Sequence, residues 1–303
     1  MTATGTEALH DEATGLDARP LPEAARILAE GQIAAAMTLR DASDCIAAAA
    51  PALADTLRAG GTLHYIAAGS SGLMAAADAQ ELGGTFSIPA GQLRIHMAGG
   101  LPTGVEMPGG TEDDTAGLAS ALAGISPRDA VIAVSASGST PFTLEGARIA
   151  REAGARIVAI ANNPGSPLLE LADHPVLLAT PPEVLSGSTR MGAGTAQKIA
   201  LNMLSTLMAV ALGHVHDGMM VNLRADNSKL RARAAGMVAR IAQVDAAAAG
   251  AALDATSGAV KPAVLVAAGQ GPDAADALLR ETEGNLRAAL ARLNRPMKQG
   301  VHT

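Results

Sequence analysis

The chain has 303 residues, a formal net charge of −7 and 49% hydrophobic residues, and its only aromatic residues are one tyrosine and two phenylalanines. This length is enough for one main domain and a smaller one, and the acidic balance argues against nucleic-acid or membrane-surface binding. A single cysteine, Cys45, excludes an internal disulfide and a thiolate-rich metal site. The polar segment Met1–Leu21 lacks the apolar core of a signal peptide, so we expect a cytoplasmic protein.

Strand-like runs alternate with helical ones, which is the pattern of a parallel sheet covered by helices. Five strands are predicted, at Thr62–Ile66, Gln92–Met97, Ala130–Val134, Arg156–Ala161 and Pro175–Ala179. Helices are predicted within Pro22–Ala59 and over Ser71–Leu82, Asp113–Ala123, Pro141–Ala153 and Met191–Leu212. The last helix is apolar on most faces, which predicts that it is buried.

A change of composition after about Asp226 predicts a second domain. From Lys229 to Leu293, helical segments are interrupted at Ser257–Gly258 and Gly269–Pro272, which indicates a small three-helix appendage. We therefore expect one domain over residues 1–226, with the sheet and the helices before it, and a small helical domain over residues 227–303.

Two loops rich in serine and glycine follow the first and third predicted strands and open helices. Backbone N–H groups at a helix start attract anions, and serine hydroxyls add donors for phosphate oxygens. Because ligands bind beyond the carboxyl ends of the strands in such sheets, both loops are expected to line one site for a phosphorylated or polyhydroxylated molecule. Neither loop has the lysine of a Walker motif or the spacing of a dinucleotide fingerprint, which argues against nucleotides. The candidate ligand residues in these loops are Gly69, Ser70, Ser71, Ser135, Ser137, Ser139 and Thr140.

Two carboxylates are placed to join this site. Glu81 is near the end of the helix after the first loop, and Glu112 begins the helix before the third strand. From spacing alone, a surface position explains Glu81 and a helix-dipole role explains Glu112. In the segment Ser188–Arg190, the hydroxyls can cap the following helix, but capping does not explain Arg190, which is suited to an anion.

The histidines do not indicate a metal centre. His214 and His216 share one side of a strand but not of a helix, and no third ligand is evident, so no metal site is predicted. His64 and His96 lie inside predicted strands and are expected to be core or rim residues.

Several stretches carry a family resemblance: Tyr65–Gly72, Asp78–Glu81 with Thr85–Phe86, Ala98–Gly100, Thr111–Asp113, Ala136–Pro141, Asn163–Leu168, Gly187–Arg190, Ala193–Lys198, Leu201–Thr206 and Asn227–Leu230. In these stretches the chain resembles bacterial N-acetylmuramic acid 6-phosphate etherases, of the sugar isomerase (SIS) domain superfamily. The similarity extends over roughly Thr6 to Leu293, including the helical appendage.

The resemblance implies a five-stranded parallel sheet in an αβα sandwich, a small helical domain, and a homodimer whose active site borrows residues across the interface. It implies a carbon–oxygen lyase of amino-sugar metabolism and cell-wall recycling. Such a lyase removes D-lactate from the third carbon of N-acetylmuramic acid 6-phosphate by elimination and water addition, leaving N-acetylglucosamine 6-phosphate. Glu81 matches the acid that assists lactate departure, and Glu112 matches the base that takes the proton from carbon two. The expected substrate contacts extend to Ser188, Thr189, Arg190 and Lys198, and no metal or organic cofactor is required.

The chain departs from the family pattern at positions where basic residues are usual. Leu73, Ser139 and Gly192 replace basic residues, and Gly83–Gly84 replaces a typical Pro-Pro pair. Either the basic residues are structural in the family, or the substrate of this protein carries fewer negative charges. Two other functions also stay open: a non-catalytic sugar-phosphate sensor that modulates a partner protein, and an aldose–ketose isomerase. Retention of both glutamates counts against the sensor, because a sensor needs no acid–base pair.

Overall fold

A five-stranded parallel sheet forms the centre of the larger of two compact units. The computed structural model describes residues 5–107, 109–223 and 228–293. The strands are β1 (Leu63–Ala67), β2 (Leu93–Met97), β3 (Ala130–Ser135), β4 (Arg156–Ala161) and β5 (His174–Leu177), in the order β2-β1-β3-β4-β5. β1 and β3 are buried along their whole length, which is why they appear in the sequence as continuous apolar runs. All five predicted strands are confirmed.

Helices cover both faces of this sheet. They are α1 (Leu21–Met37), α2 (Leu39–Arg58), α3 (Gly69–Phe86), α4 (Leu118–Ala121), α5 (Pro141–Glu152), α6 (Pro167–Leu171) and α7 (Gly192–Ala211). On one face, α5 packs through Phe142 and Ala147 against Ile66 and Val131. On the other face, the Tyr65 hydroxyl of β1 donates to Asp78 of α3, and α2 packs against β1, β3 and β5. The predicted αβα sandwich is confirmed.

The helix between β2 and β3 is much shorter than predicted. The sequence predicts a helix over Asp113–Ala123, but α4 has only four residues, Leu118–Ala121. Gly117 precedes α4 with a φ of +82°, a left-handed conformation that residues with a Cβ atom rarely adopt. The residues before Gly117 form turns rather than a helix. The short α4 leaves the edge strand β2 mostly half-buried.

One face of α7 is less buried than its apolar sequence predicts. Lys198 and Thr206 are exposed, and Ile199, Met203 and Leu207 are half-buried. In the part of the chain that the structure describes, no helix combines the length and apolarity needed to span a bilayer. The contiguous, half-buried apolar face of α7 is typical of a protein–protein contact.

The smaller unit is helical after a two-stranded hairpin. Its elements are β6 (Val215–His216), β7 (Met219–Met220), α8 (Ser228–Ala242), α9 (Ala246–Ala255), α10 (Val260–Ala267), α11 (Pro272–Glu281) and α12 (Leu286–Leu293). The helical character is confirmed, but the described residues form five helices where three are predicted. The additional breaks follow Gln243 and Glu283, which have φ values of +56° and +51°. At Gln243 no glycine or proline in the sequence signals the break. The helix ends there because Gln243 adopts a left-handed conformation, which glutamine tolerates but does not favour.

The division between the two units differs from the boundary expected at residue 226. By packing, the larger unit ends at Met208, and the segment Leu82–Ile88 belongs to the smaller unit. The amino-acid composition changes only after about Asp226, where strand-like segments end in the sequence. The packing boundary instead falls inside α3 and α7, where both sides of the boundary have the same helical composition.

Lys261 is a buried cation of the smaller unit. Lys261 is only 6% exposed, and its Nζ donates to the carbonyl of Gly284 at 2.9 Å. Burial lowers the pKa of Lys261 to about 8, because the ammonium loses its hydration on moving into the protein.

Replacing Lys261 with methionine is expected to stabilise the protein near pH 7 by roughly 2 kcal/mol, the relief of charge burial less one lost hydrogen bond. Between about pH 8 and the unfolded lysine value near 10.4, the unfolded chain binds more protons than the folded one. The stability of the unchanged protein therefore rises with pH in this window, and the advantage of methionine shrinks. Urea unfolding near pH 7 and near pH 10 measures this effect, with Lys229→Met, at an exposed position of α8, as the control. An equal gain at both pH values would contradict the prediction.

Candidate functional site

The two serine loops lie at the carboxyl ends of neighbouring strands. β1 and β3 pair in parallel with Ala67 opposite Val134, and paired strands are about 4.8 Å apart. The first loop turns directly into α3, so Ser70 and Ser71 lie in the first turn of that helix. The second loop, Ser135–Thr140, leads into α5. The two helices therefore begin at the same edge of the sheet, with N-termini suited to an anion.

The hydroxyls of the second loop form a single hydrogen-bonded cluster. Ser135 Oγ lies 2.8 Å from Thr140 Oγ1 and 3.3 Å from Ser137 Oγ. The N–H of Gly138 donates to Ser135 Oγ at 3.0 Å, and the N–H of Ser139 donates to Ser137 Oγ at 3.2 Å. Each hydroxyl can rotate to exchange one of these mutual contacts for a ligand oxygen. The cluster is therefore a preformed set of donors at the start of α5.

Glu112 lies between the two loops. Its carbonyl accepts a hydrogen bond of 3.0 Å from the N–H of Phe142, in the first turn of α5. Its carboxylate reaches the first loop, because a Cβ atom on Gly69 would lie only 2.4 Å from Glu112 Oε1. Glu112 itself is exposed. The structure thus brings Glu112 together with both predicted ligand loops at one edge of the sheet.

Gly69→Ala is expected to destabilise the protein by about 1–3 kcal/mol and to lower turnover. The φ of Gly69 is +53°, and the added methyl group would displace the Glu112 carboxylate. Thermal unfolding and a turnover assay measure the two effects. Gly84→Ala is the control in the same helix, because a Cβ atom there meets nothing within 4 Å. A Gly69→Ala protein with unchanged stability and turnover would contradict this packing.

Glu81 is not close to Glu112 within one chain. Glu81 is exposed on α3, and it follows Gly69 by twelve residues of the same helix, which correspond to about 18 Å along the helix axis. The carboxylate of Glu112 lies against Gly69, at the opposite end of α3 from Glu81. The two candidate catalytic carboxylates are therefore separated along the length of α3.

Asp78 is a buried carboxylate whose role the sequence analysis did not assign. The Tyr65 hydroxyl donates to Asp78 Oδ2 at 3.0 Å, and Asn202 Nδ2 and Ser205 Oγ each donate to Asp78 Oδ1 at 2.9 Å. Burial raises the pKa of Asp78 despite these three donors, and the charge of Glu81 adds to the shift. Asp78 joins β1, α3 and α7. Its position three residues before Glu81, among buried alanines, was the available signal, since a buried carboxylate needs donors.

The N-terminus of α7 is capped by Glu183 rather than by Ser188 or Thr189. Glu183 accepts from the N–H groups of Gly192 and Ala193 at 2.9 and 2.8 Å. The capping role predicted for the hydroxyls of Ser188 and Thr189 is therefore wrong. Sequence patterns for caps examine the residues next to the helix, whereas Glu183 precedes α7 by nine residues.

Ser188 and Thr189 are half-buried, and Arg190 is exposed. The Thr189 carbonyl accepts from the N–H of Gly194. Lys198 is exposed farther along α7. Among the contacts of the described residues, none places these four residues against the serine loops or Glu112.

The N-terminal segment supports the second serine loop through Asn163. The N–H of Thr6 donates to Asn163 Oδ1 at 3.1 Å, and Asn163 Nδ2 donates to Thr6 Oγ1 at 2.9 Å. Asn163 Nδ2 also approaches the carbonyl of Ser137 at 3.4 Å. The contacts of Asn163 with Thr6 span 157 residues of chain and that with Ser137 spans 26, so no local pattern could have revealed them.

The three positions that lack a basic residue have different surroundings. Leu73 is 36% exposed on α3, one turn after the first loop, and Ser139 is exposed in the second loop. Gly192 is buried, and a Cβ atom there would lie 3.1 Å from both Ala35 Cβ and Glu183 Oε2. Close packing at the start of α7 therefore disfavours a long side chain at Gly192, whereas Leu73 and Ser139 are at the surface.

The structure describes no cluster of metal ligands. Among the described residues, no group of three or more histidine, cysteine, aspartate or glutamate side chains is arranged to hold a metal ion. His216 lies in β6 beside Asp217, and burial holds the pKa of His216 below its usual value. His64 and His96 lie in β1 and β2, where they were expected.

Comparison with known proteins shows the family of this chain. Residues 111–212 match the SIS domain family. An N-acetylmuramic acid 6-phosphate etherase from Deinococcus radiodurans is 43% identical over 290 residues, which cover 94% of each chain. The etherase from Rubrobacter xylanophilus is 40% identical over 294 residues, covering 96% of this chain and 97% of that one. The etherase from Streptomyces avermitilis is 41% identical over 292 residues, covering 94% and 93%. With identity at this level along nearly the whole length, the chain belongs to the N-acetylmuramic acid 6-phosphate etherase family.

Proposed function

We propose that this protein cleaves the D-lactyl ether of N-acetylmuramic acid 6-phosphate, giving N-acetylglucosamine 6-phosphate and D-lactate. The observation that carries the proposal is the position of Glu112, between the two serine loops and against Gly69. A base for a phosphosugar is needed next to a phosphate site, and the starts of α3 and α5 are suited to phosphate. We further propose a cytoplasmic location, which the single cysteine supports because no disulfide framework stabilises the chain.

The reaction requires one base and one acid. Glu112 removes the proton from carbon two, which is acidic because it lies next to the aldehyde of the open-chain sugar. The released electron pair forms a double bond between carbons two and three as the bond from carbon three to the lactyl oxygen breaks. Glu81 protonates the departing lactyl oxygen. Water then adds to carbon three and a proton returns to carbon two, so these proton transfers need no metal or organic cofactor.

The phosphate and hydroxyl groups of the substrate have two sets of donors in this proposal. The first turn of α3 offers its free N–H groups with Ser70 and Ser71, and the second loop offers its hydroxyl cluster. Arg190 and Lys198 supply positive charge for the phosphate or for the lactyl carboxylate. Charge-assisted hydrogen bonds of this kind contribute about 1.5–3 kcal/mol each.

A homodimer completes each active site in this proposal. The separation of about 18 Å along α3 is too long for two groups that act on adjacent carbon atoms of one sugar. The half-buried face of α7, with Ile199, Met203 and Leu207, lines a groove of about 410 Å³. A second copy that covers this face would bring its own Glu81 to the Glu112 of the first copy. Light scattering at micromolar concentration measures the dimer, and a monomer under these conditions contradicts it.

Release of D-lactate from N-acetylmuramic acid 6-phosphate is the direct test. We expect lactate and N-acetylglucosamine 6-phosphate in equal amounts, with solvent deuterium at carbon two of the product. Binding of the phosphosugar without lactate release or deuterium incorporation would favour the sensor. Interconversion of aldose and ketose phosphates without lactate loss would favour the isomerase.

The phosphorylated substrate is expected to be strongly preferred over unphosphorylated N-acetylmuramic acid. Loss of the phosphate removes charge-assisted contacts worth roughly tenfold or more each in kcat/KM. The close packing around Gly192 supports a structural reason for one of the three missing basic residues. Comparing kcat/KM for the two sugars measures the preference. Similar values for both sugars would instead mean that Leu73 and Ser139 mark a less anionic substrate.

A further inference from the structure

A polar cavity of about 340 Å³ lies at the amino-terminal edge of the parallel sheet. Its polar lining comes from residues at or before the starts of three strands, from the segment after α4 and from His96 near the end of β2: Thr62, His64, Arg94, His96, Ser126, Arg128 and Asp129. The serine loops lie at the opposite edge, beyond the carboxyl ends of β1 and β3. His64, which lines the cavity, precedes Gly69 by five residues of mostly extended chain, about 16 Å, and no residue of the two serine loops lines the cavity. The cavity is therefore distinct from the site described above.

Basic side chains occupy a face of the sheet that is apolar elsewhere. His64 is the register partner of Arg94, and Ile66 is the partner of His96. Since alternate residues of a strand face the same side, His64, Arg94 and His96 share the face of Ile66. Around Ile66 this face is packed with apolar side chains. The basic groups face the cavity instead, because the short α4 and the segment after it leave space there.

The two histidines form a coupled pair on the cavity wall. His64 Nδ1 and His96 Nε2 are 3.0 Å apart, and the rings are inclined by only 4°. Burial, together with the charges of His64 and Arg94, lowers the pKa of His96 to about 4. Burial also holds the pKa of His64 below its usual value, with Arg94 adding to the shift and Asp129 opposing it. Each ring keeps one nitrogen that the pair does not use.

The carboxylate of Asp129 offsets only one of the two arginine charges in the lining, which leaves a net charge of +1 when both histidines are neutral. Asp129 already accepts from the N–H of Thr62 and from both the N–H and the hydroxyl of Ser126. Arg94 Nη1 donates to backbone carbonyl groups, including that of Leu93 at 2.8 Å. Within the described chain, neither Arg94 nor Arg128 forms an ion pair. Two guanidinium groups and two imidazoles thus line one cavity of a protein whose net charge is −7.

We propose that this cavity binds a small oxyanion of the phosphate class, as the free ion or as a phosphate monoester, between Arg94, Arg128 and the histidine pair. Guanidinium groups match the geometry of phosphate oxygens. A bound dianion offsets the repulsion from Arg94, so a histidine of the pair takes up a proton and becomes a further donor. The volume of the cavity leaves room for a small ester beside the phosphate. The lining has no phenylalanine, tyrosine or tryptophan side chain on which a nucleotide base could stack, and its two imidazole rings are stacked on each other.

The test follows the histidine ring signals by NMR in the full-length protein. The chain has seven histidines, and His64→Gln and His96→Gln assign the two signals. Inorganic phosphate and glycerol 3-phosphate are titrated separately. At least one of them is expected to shift both signals in a saturable way and to raise the pKa of His96 by about one unit or more. Tighter binding of one of the two identifies the free ion or the monoester as the preferred form.

Variants locate the binding. The double substitution Arg94→Gln with Arg128→Gln is expected to lower the affinity of the cavity for the titrated anion roughly tenfold or more. Arg233→Gln with Arg280→Gln, two exposed arginines of the smaller unit, removes the same charge and should leave the affinity unchanged. Ser135→Ala with Ser137→Ala, in the second serine loop, should also leave it unchanged. The inference is overturned if neither anion raises the pKa of His96 in the unchanged protein, or if the loss of both cavity arginines leaves the affinity as it was.

Discussion

Glutamine in place of Glu112 is expected to lower kcat/KM by on the order of 10²–10⁴-fold and to stop exchange of the carbon-two proton with solvent. Glutamine preserves the shape of the side chain and the backbone bond to Phe142, so the fold is expected to remain intact. The amide cannot accept the proton that the carboxylate removes. Lactate release measures turnover, and incorporation of deuterium at carbon two measures proton removal.

Glu81→Gln provides the contrasting result. Turnover is expected to fall by a similar order, 10²–10⁴-fold, because the departing lactyl oxygen loses its proton donor. Proton exchange at carbon two persists, since Glu112 still acts as the base. Glu170→Gln, at an exposed position in α6, is the control and should leave both readouts unchanged. Full activity in both the Glu81 and Glu112 variants would show that the acid–base assignment is wrong.

Mixing the two inactive variants is expected to restore activity. If each site takes Glu112 from one copy and Glu81 from its partner, a mixed dimer of Glu81→Gln and Glu112→Gln contains one intact site and one doubly altered site. Random exchange makes half of the dimers mixed, so about a quarter of the original activity is expected. The physical basis is the distance of about 18 Å between Glu81 and the Gly69–Glu112 contact within one chain.

The experiment co-expresses the two variants with different affinity tags and purifies the dimers that carry both. Purified mixed dimers are expected to have about half of the original activity, since one of their two sites is intact. Dimers of each variant alone, prepared with the same tags, are the controls. Mixed dimers with no more activity than the controls would mean that each site draws both carboxylates from the same chain.

The core of the larger unit could be predicted from local patterns. The residues of β1, β3 and β4 are almost all buried, and such strands appear as apolar runs bounded by glycine, proline or polar residues. Parallel connection through helices then places both serine loops at one edge without further information. Glu112 could be named as a candidate from the family resemblance, but its contact with Gly69 is made across the fold and leaves no local pattern.

Local sequence patterns gave wrong predictions where a residue distant along the chain takes a role that neighbouring residues usually have. The cap of α7 comes from Glu183, although Ser188 and Thr189 have the residue types that cap helices. The helix expected over Asp113–Ala123 is reduced to α4, because the preceding residues form turns that hold Glu112 near Phe142. In both cases, tertiary contacts outweigh propensities that amount to less than about 1 kcal/mol per residue.

The sequence by itself determined the parallel sheet, the helices that cover it, the two anion-suited loops and the family, because these depend on periodicity, glycine spacing and residue identity along the chain. Only the tertiary structure decided that Glu112 meets Gly69, at the opposite end of α3 from Glu81, and that basic side chains line a cavity at the opposite edge of the sheet. The physical reason is that such contacts join segments whose separation along the chain carries no periodic signal. They depend on how far each helix extends and on which faces of the sheet it covers.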